Sequence, residues 1–325
     1  MRVLLTGGTG FLGSHIAEQL RGSGHEVRVL ARRTSHVEPL RAMGCEIAYA
    51  VLERGEGLEE AVRGVDAVVH AAALVKARRP EEFHEVNAGG TERLLEAVER
   101  AAPGVRRFVL VSSLAAHGFA EGGPRSPDAE PAPVTHYGRS KLAAERATLA
   151  RADRFPVTVI RPPAIYGPRD REMFAFFKIV RTGIVPFIGN PENRMSLIYG
   201  PDAADAVVRA LRVEHPSGRI YSVEDGRAYS QRQFVDAIAA ALGVRYRAIT
   251  VPVSVVSMAA WLSELGGALA GRAVMLTRDK VNELRVEQLV YAADAIREEL
   301  GWNARVQLEE GARLSVEWYR AHGWL

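Results

Sequence analysis

The turn "TGGTGFLG" at residues 6–13 limits what this chain can fold into more than any other feature. It follows an apolar run, "RVLL", and leads into a helical pattern, "FLGSHIAEQL". Gly7, Gly10 and Gly13 permit a turn tight enough for backbone N–H groups and a helix N-terminus to meet a pyrophosphate. A glycine triplet alone is a weak sign, but this one has the strand–turn–helix setting such a loop requires. The expectation is a dinucleotide site at the start of the chain, with Phe11 and Leu12 inside the same turn.

Short apolar runs then alternate with helical patterns. The runs at 2–5, 26–30, 45–50, 66–71, 107–113 and 157–161 read as strands. They are continuous rather than alternating, so both faces should be covered, as in a parallel sheet. Helical segments fall at about 12–21, 80–101 and 137–150, the last directing Leu142, Ala143 and Ala147 toward a core. Repeated strand–helix units predict an α/β fold with a Rossmann-type doubly wound parallel sheet. After Arg161 the rhythm changes. The expected division is a nucleotide-binding domain over 1–161, with 202–223 returning to it, and a smaller, mostly helical substrate domain from 162–201 and 224–325.

The composition of the 325 residues, 47% hydrophobic and 25% charged, is that of globular material. Net charge is only +3, and no basic tract or aromatic-interleaved stripe points to nucleic acid. One cysteine, Cys45, excludes an internal disulfide framework and suits a reducing compartment. The chain enters a strand-like run at once, so a cytoplasmic location is expected. No uninterrupted apolar stretch reaches the roughly 18 residues of a membrane span. The nearest, Val251 to Leu269, is broken by Pro252, three serines and Glu264, and reads as a buried or membrane-surface helix. The nine histidines show no metal-ligand spacing, so no metal is expected.

The second strand should end near the adenine ribose, where an acidic residue would bond the ribose hydroxyls. The chain offers "VLARRTSH" there, with Arg32 and Arg33 and no acid before Glu38. Arginine can clamp a 2′-phosphate through charge-assisted bonds, whereas an acid would repel it. NADP(H) is therefore expected over NAD(H), which remains possible.

Tyr137 and Lys141 in "HYGRSKLAAE" stand four apart, so a helix would place them on one face. A nearby ammonium favours the phenolate, which makes the pair a plausible proton-transfer couple. Nine tyrosines and four lysines predict about one such spacing by chance in ten chains of this length, so the pair alone is weak.

The ordered set "TGGTGFLG", "HAAA" (70–73), "VNAGGT" (86–91), "FVLVSS" (108–113), "YGRSK" (137–141), "RPPAIYGP" (161–168) and "REELGW" (297–302) is far more specific. Through it the chain resembles the extended short-chain dehydrogenases/reductases over essentially its whole length. The features "RMSLIYGPDAADA" and "TRDKVNEL" resemble the dihydroflavonol-reductase and 3β-hydroxysteroid-dehydrogenase branch. The resemblance implies Tyr137 as proton donor or acceptor, Lys141 as the cation that lowers its pKa and holds the nicotinamide ribose, and Ser113 as a bond to the reacting oxygen. Ser113 is preferred to Ser112 by its distance from His117-Gly118. The resemblance also implies Ala71, Ala72, Ala73, Pro162 and Ile165 as cofactor contacts, and Asn87 as support behind the site. A homodimer through helices 80–101 and 137–150 is an analogy of the same kind.

Departures from the family pattern narrow the function. Val51 stands where an aspartate near adenine is usual. Leu114 and Ala115 replace the acidic pair of the sugar dehydratases and cannot do their proton chemistry. Ala164 replaces the asparagine of the sugar-nucleotide epimerases, although Arg194 could still meet a phosphate. The apolar passage "MFAFFKIVRTGIVPFIG" brings Met173, Phe174, Phe176, Phe177, Ile184, Val185, Phe187 and Ile188 together, as pocket wall or as core. The expected function is NADP(H)-dependent interconversion of a carbonyl and a secondary alcohol on a largely hydrophobic small molecule. A nucleoside-diphosphate-sugar epimerase and a non-catalytic cofactor-sensing or scaffold protein are the alternatives.

Overall fold

A computed structural model describes residues 1–118, 129–270, 277, 279, 281, 288–289 and 293–325. Its main sheet has seven strands, β1 (Arg2–Thr6), β2 (Glu26–Ala31), β3 (Glu46–Tyr49), β4 (Ala67–His70), β5 (Arg107–Val111), β6 (Val157–Arg161) and, after three strands elsewhere, β10 (Arg219–Ser222). Their spatial order is β10-β6-β5-β4-β1-β2-β3, and every pairing is parallel. The order reverses at β1, so a crevice opens beyond the carboxyl ends of β1 and β4, where open α/β sheets bind ligands.

Both faces of this sheet are dry, which accounts for the unbroken apolar runs. Val3 and Leu5 of β1 pack toward α1 (Phe11–Gly22) and α9 (Gly200–Arg212). Leu4 points the other way, into a cluster with Leu94 and Val98 of α5 (Gly90–Ala101) and Ala144 of α7 (His136–Leu149). Helix α9 lies against α1, and Gly200 makes that possible: a Cβ there would sit 2.8 Å from the Phe11 ring.

The rest of the chain is mostly helical, with two small sheets added. Strand β9 (Arg194–Tyr199) pairs with β7 (Ala164–Tyr166), β11 (Ala228–Ser230) and β13 (Gln288–Leu289). Strands β8 (Ile184–Ile188) and β12 (Arg247–Val251) pair in parallel. Around them lie α8 (Phe174–Arg181), α10 (Gln231–Leu242), α11 (Val253–Ala270), α12 (Asp294–Leu300) and α13 (Leu308–Ala321). Among the described residues no helix is long and apolar enough to cross a membrane.

The eight apolar residues expected together from 173 to 188 divide between inside and outside. Phe177, Val185 and Phe187 are core, while Phe176 and Ile184 are exposed. Strand alternation separates Ile184 from Val185, and helical spacing alone could not reveal it. Beyond β5 the chain forms a short helix, α6 (Leu114–His117); residues 119–128 lie outside those described.

Candidate functional site

The glycine turn is dictated by contact. Gly7 has φ +75°, and a Cβ on it would lie 2.7 Å from the Ala71–Ala72 peptide. A Cβ on Gly13 would lie 2.0 Å from the Gly7 carbonyl oxygen. The Gly10 amide donates to Gly7 O at 2.9 Å and Gly10 is the N-cap of α1, with no side chain capping the helix and no acid in its first turn. The amides of Phe11, Leu12 and Gly13 thus form the first turn of a helix whose positive end faces the crevice. This cradle fits a dinucleotide pyrophosphate.

A buried relay that the sequence did not announce locks the cradle. The Ala72 amide donates to Thr6 Oγ1 (3.1 Å), Thr6 Oγ1 lies 2.6 Å from His70 Nδ1, and His70 Nε2 lies 2.9 Å from Thr91 Oγ1. Thr91 Oγ1 donates its own proton to the Asn87 carbonyl, which leaves it only as acceptor toward His70. Nε2 therefore carries the proton, and Nδ1 accepts from Thr6. Burial pushes the His70 imidazole down to about 3, so it is neutral through the ordinary pH range. Because the folded pKa lies below the unfolded one, near 6.5, stability falls as pH drops through the window between them. Urea denaturation against pH should show an acid limb that is shallower in His70→Gln by up to about 1.4 kcal/mol per pH unit. Parallel curves for the two proteins would refute this.

At the ribose end, Arg32 and Arg33 are both exposed. Arg33 stacks over Tyr49, 5.4 Å from its ring centroid. The structure also supplies an acid that the reading of the second strand alone could not see. Glu53, from the segment after β3, places Oε1 3.8 Å from Arg32 Nη1.

The candidate chemical centre is assembled by α6 and α7. Ser113 caps α6, its Oγ accepting the Ala115 amide at 3.1 Å. Leu114 is buried and its amide donates to the carbonyl of Pro162, itself buried. Thr135 caps α7 by accepting the Gly138 amide at 3.0 Å. Gly138 then lets the two helices touch, since a Cβ there would lie 2.3 Å from the Ala115 carbonyl oxygen. A glycine in a helix's first turn costs stability, so its presence beside Tyr137 was the readable sign of close packing. Tyr137 is half-buried, its ring 6.1 Å edge-on from Phe83. Lys141, one turn on, is only 2% exposed, and its Nζ donates to the Val111 carbonyl at 2.8 Å. Burial lowers its pKa to about 8, with Glu145 working in the opposite direction.

The buried face of α7 is polar, which differs from the expected stripe. Ser140, Lys141, Glu145 and Thr148 face inward beside Leu142 and Ala144, while Ala143 and Ala147 are half-buried. Glu145 is held bidentately by Arg161 (2.9 and 2.6 Å) and accepts the Ser112 hydroxyl at 2.5 Å. Ser112 is thereby committed to the interior, and Ser113 is the serine left at the crevice. Asn87 is saturated by the Leu74 backbone (2.6 and 3.0 Å) and Ser140 Oγ (2.9 Å), so it joins the post-β4 segment to α7. Ala71, Ala72 and Ala73 line that segment, half-buried, and Ile165 is half-buried on β7. His117 is buried and faces the Ala129 carbonyl at 2.8 Å, and Arg194 is exposed at the start of β9.

With these elements in place, residues 3–223 match the model of the NAD dependent epimerase/dehydratase family. The chain belongs to that family. Within it, this is an extended short-chain dehydrogenase/reductase enzyme, and reductases are among its relatives. The ceramide reductase of Caulobacter vibrioides is 32% identical over 99% of this chain and 96% of its own length. The 4-hydroxy-2-methyl-3-oxo-4-farnesyl-3,4-dihydroquinoline-1-oxide ketoreductase of Stigmatella aurantiaca is 29% identical over 96% and 94%. Among solved structures, MoeE5 in complex with UDP-glucuronic acid and NAD is 26% identical, covers 99% of this chain and 100% of its own, and superposes with a TM-score of 0.79. The family is NAD(P)-dependent, in keeping with the glycine cradle.

Proposed function

We propose that this enzyme interconverts a carbonyl and a secondary alcohol on a hydrophobic small molecule, using NADP(H). The observation that carries the chemistry is the pairing of α6 and α7 through Gly138, which sets the Ser113 turn against the helix bearing Tyr137 and Lys141. A bound nicotinamide dinucleotide supplies or accepts the hydride. In the reducing direction the Tyr137 phenol gives its proton to the carbonyl oxygen. Ser113 Oγ already accepts the Ala115 amide, so its own O–H is the donor available to that oxygen. Lys141, one helical turn on, stabilises the phenolate that remains. Residues 1–161 with 202–223 hold the cofactor in this reading, and the remainder shapes the substrate site.

Two features support a hydrophobic substrate. Leu114, Ala115 and Ala164 carry none of the polar groups that sugar-nucleotide dehydratases and epimerases use at the matching places. The related reductases are named for ceramide and a farnesyl-bearing quinoline oxide. MoeE5, with its UDP-sugar, favours the epimerase as second reading. A panel of apolar ketones with NADPH, run beside calorimetric titration with UDP and dTDP, separates them. Turnover of the ketones with no nucleotide binding is expected. Micromolar UDP or dTDP binding without ketone turnover would promote the epimerase.

For the cofactor, the proposal rests on Arg32 and Arg33, with Glu53 as a competing anion. NADPH should bind at least about tenfold tighter than NADH, or ~1.4 kcal/mol. Arg32→Asp should reverse that order, and Glu53→Gln should widen it by removing the carboxylate that a 2′-phosphate must displace. Fluorescence titration checks both, and unchanged ratios would make these side chains bystanders.

The Lys141 pKa also sets a pH limit. The ammonium persists up to about pH 8 and is lost above it, so kcat/KM should fall as pH rises through about 8. A profile flat to pH 10 would remove the lysine charge from the mechanism.

A further inference from the structure

All the exposed large hydrophobic side chains among the described residues, except Tyr49 and Val75, lie on the unit formed by α8, β8, β12 and α11. On α11 the outward residues are Val255, Met258, Ala259, Trp261 and Leu262, with Met258 60% and Leu262 53% exposed. At ~100° per residue they span an arc of roughly 160°, in which Ser254 is the single polar position. Val256 and Ala260 face the other way and pack on Ile188, Val251 and Val253. The two-stranded sheet of the same unit is apolar on its outside as well. Val185 and Phe187 of β8 turn into the core, so Ile184, Pro186 and their register partners Arg247 and Ile249 form the outer face of the two-stranded sheet.

Charge accompanies this surface. Lys178, Arg181 and Arg247 are exposed on the same unit and Arg245 just before β12, and the three arginines make no ion pair among the described residues. From Arg245 to Ser263 there is no acidic residue at all. A broad apolar helix face bordered by cations is the chemistry of a helix lying in the plane of an anionic lipid surface, with its apolar side in the headgroup–acyl boundary.

We propose that α11 and the outer face of β8–β12 dock this enzyme onto an anionic membrane surface without spanning it. The inference goes beyond the reading of the active site and does not depend on it. Eight exposed large apolar side chains gathered on one unit are uncommon on proteins that meet only water. A second copy of the chain could also cover such a face, but stacking two copies would bring the unpaired arginines toward one another.

The test is sedimentation of the full-length protein with vesicles of phosphatidylcholine alone or mixed in equal parts with phosphatidylglycerol. Binding to the mixed vesicles is expected, weaker by about fivefold for each basic side chain that is neutralised. The double variant Met258→Asp, Leu262→Asp should lose at least about tenfold in partitioning while keeping its cofactor affinity and circular dichroism. A fluorescence blue-shift on adding mixed vesicles should disappear in Trp261→Phe. Wild-type protein remaining in the supernatant with both vesicle types would overturn the proposal. So would ultracentrifugation showing that the aspartate variant converts a dimer to a monomer while vesicle binding is unchanged. If vesicle binding holds and apolar ketones are not turned over, docking stands and the substrate reading fails.

Discussion

Replacing Tyr137 with phenylalanine should lower kcat by about 10² or more while leaving cofactor affinity nearly unchanged. The substitution deletes one oxygen and its transferable proton, and general acid catalysis of this kind contributes about 10²–10⁴. Packing should survive, because the ring edge against Phe83 is retained. Tyr137 sits in the first turn of α7, one turn before a lysine held by the Val111 carbonyl, so a phenylalanine leaves that anchor intact. Stopped-flow single-turnover measurements with NADPH separate the chemical step from product release. A phenylalanine variant that retains near-full turnover would show that some other group delivers the proton.

The second large effect is expected at Glu145, which no motif singled out. Its carboxylate is 1% exposed, paired bidentately with a buried Arg161 and bonded by Ser112. Breaking a buried pair by removing one partner strands the other charge, at a cost of about 3–5 kcal/mol. Glu145→Ala would strand Arg161 and also withdraw the one nearby charge that supports protonation of Lys141. Two readouts should therefore move together. Stability in urea should fall by that amount, and the alkaline limb of kcat/KM should shift to lower pH than in the wild type. A stability loss below about 1 kcal/mol, or an unmoved limb, would mean that the carboxylate does not act as described.

What could be read ahead of the structure was local. The helix expected at 137–150 runs from His136 to Leu149, and the strand expected at 157–161 spans those residues. The glycine turn was legible because a backbone needing φ > 0 and close approach leaves a direct mark on residue type. What escaped depends on segments far apart in sequence. Glu53 meets Arg32 only because β3 lies beside β2. The His70 relay joins β1, β4 and α5, none of which signals the others. The polar interior of α7 defeated the apolar pattern because its inward groups are satisfied by partners on neighbouring segments, and periodicity counts only apolar residues.

The position of β10 bears on how the chain reaches its fold as it is made. The nucleotide cradle lies in the first 13 residues, yet the sheet beneath it gains its outermost strand from residues 219–222, and α1 its covering helix from 200–212. Synthesis proceeds at about 5–20 residues per second, so some seconds separate the emergence of β6 from that of β10. Throughout that interval β6 presents an unpaired edge and α1 an uncovered apolar side, the two conditions that favour association with other nascent chains. A fragment ended at Arg161 would remain in that state permanently.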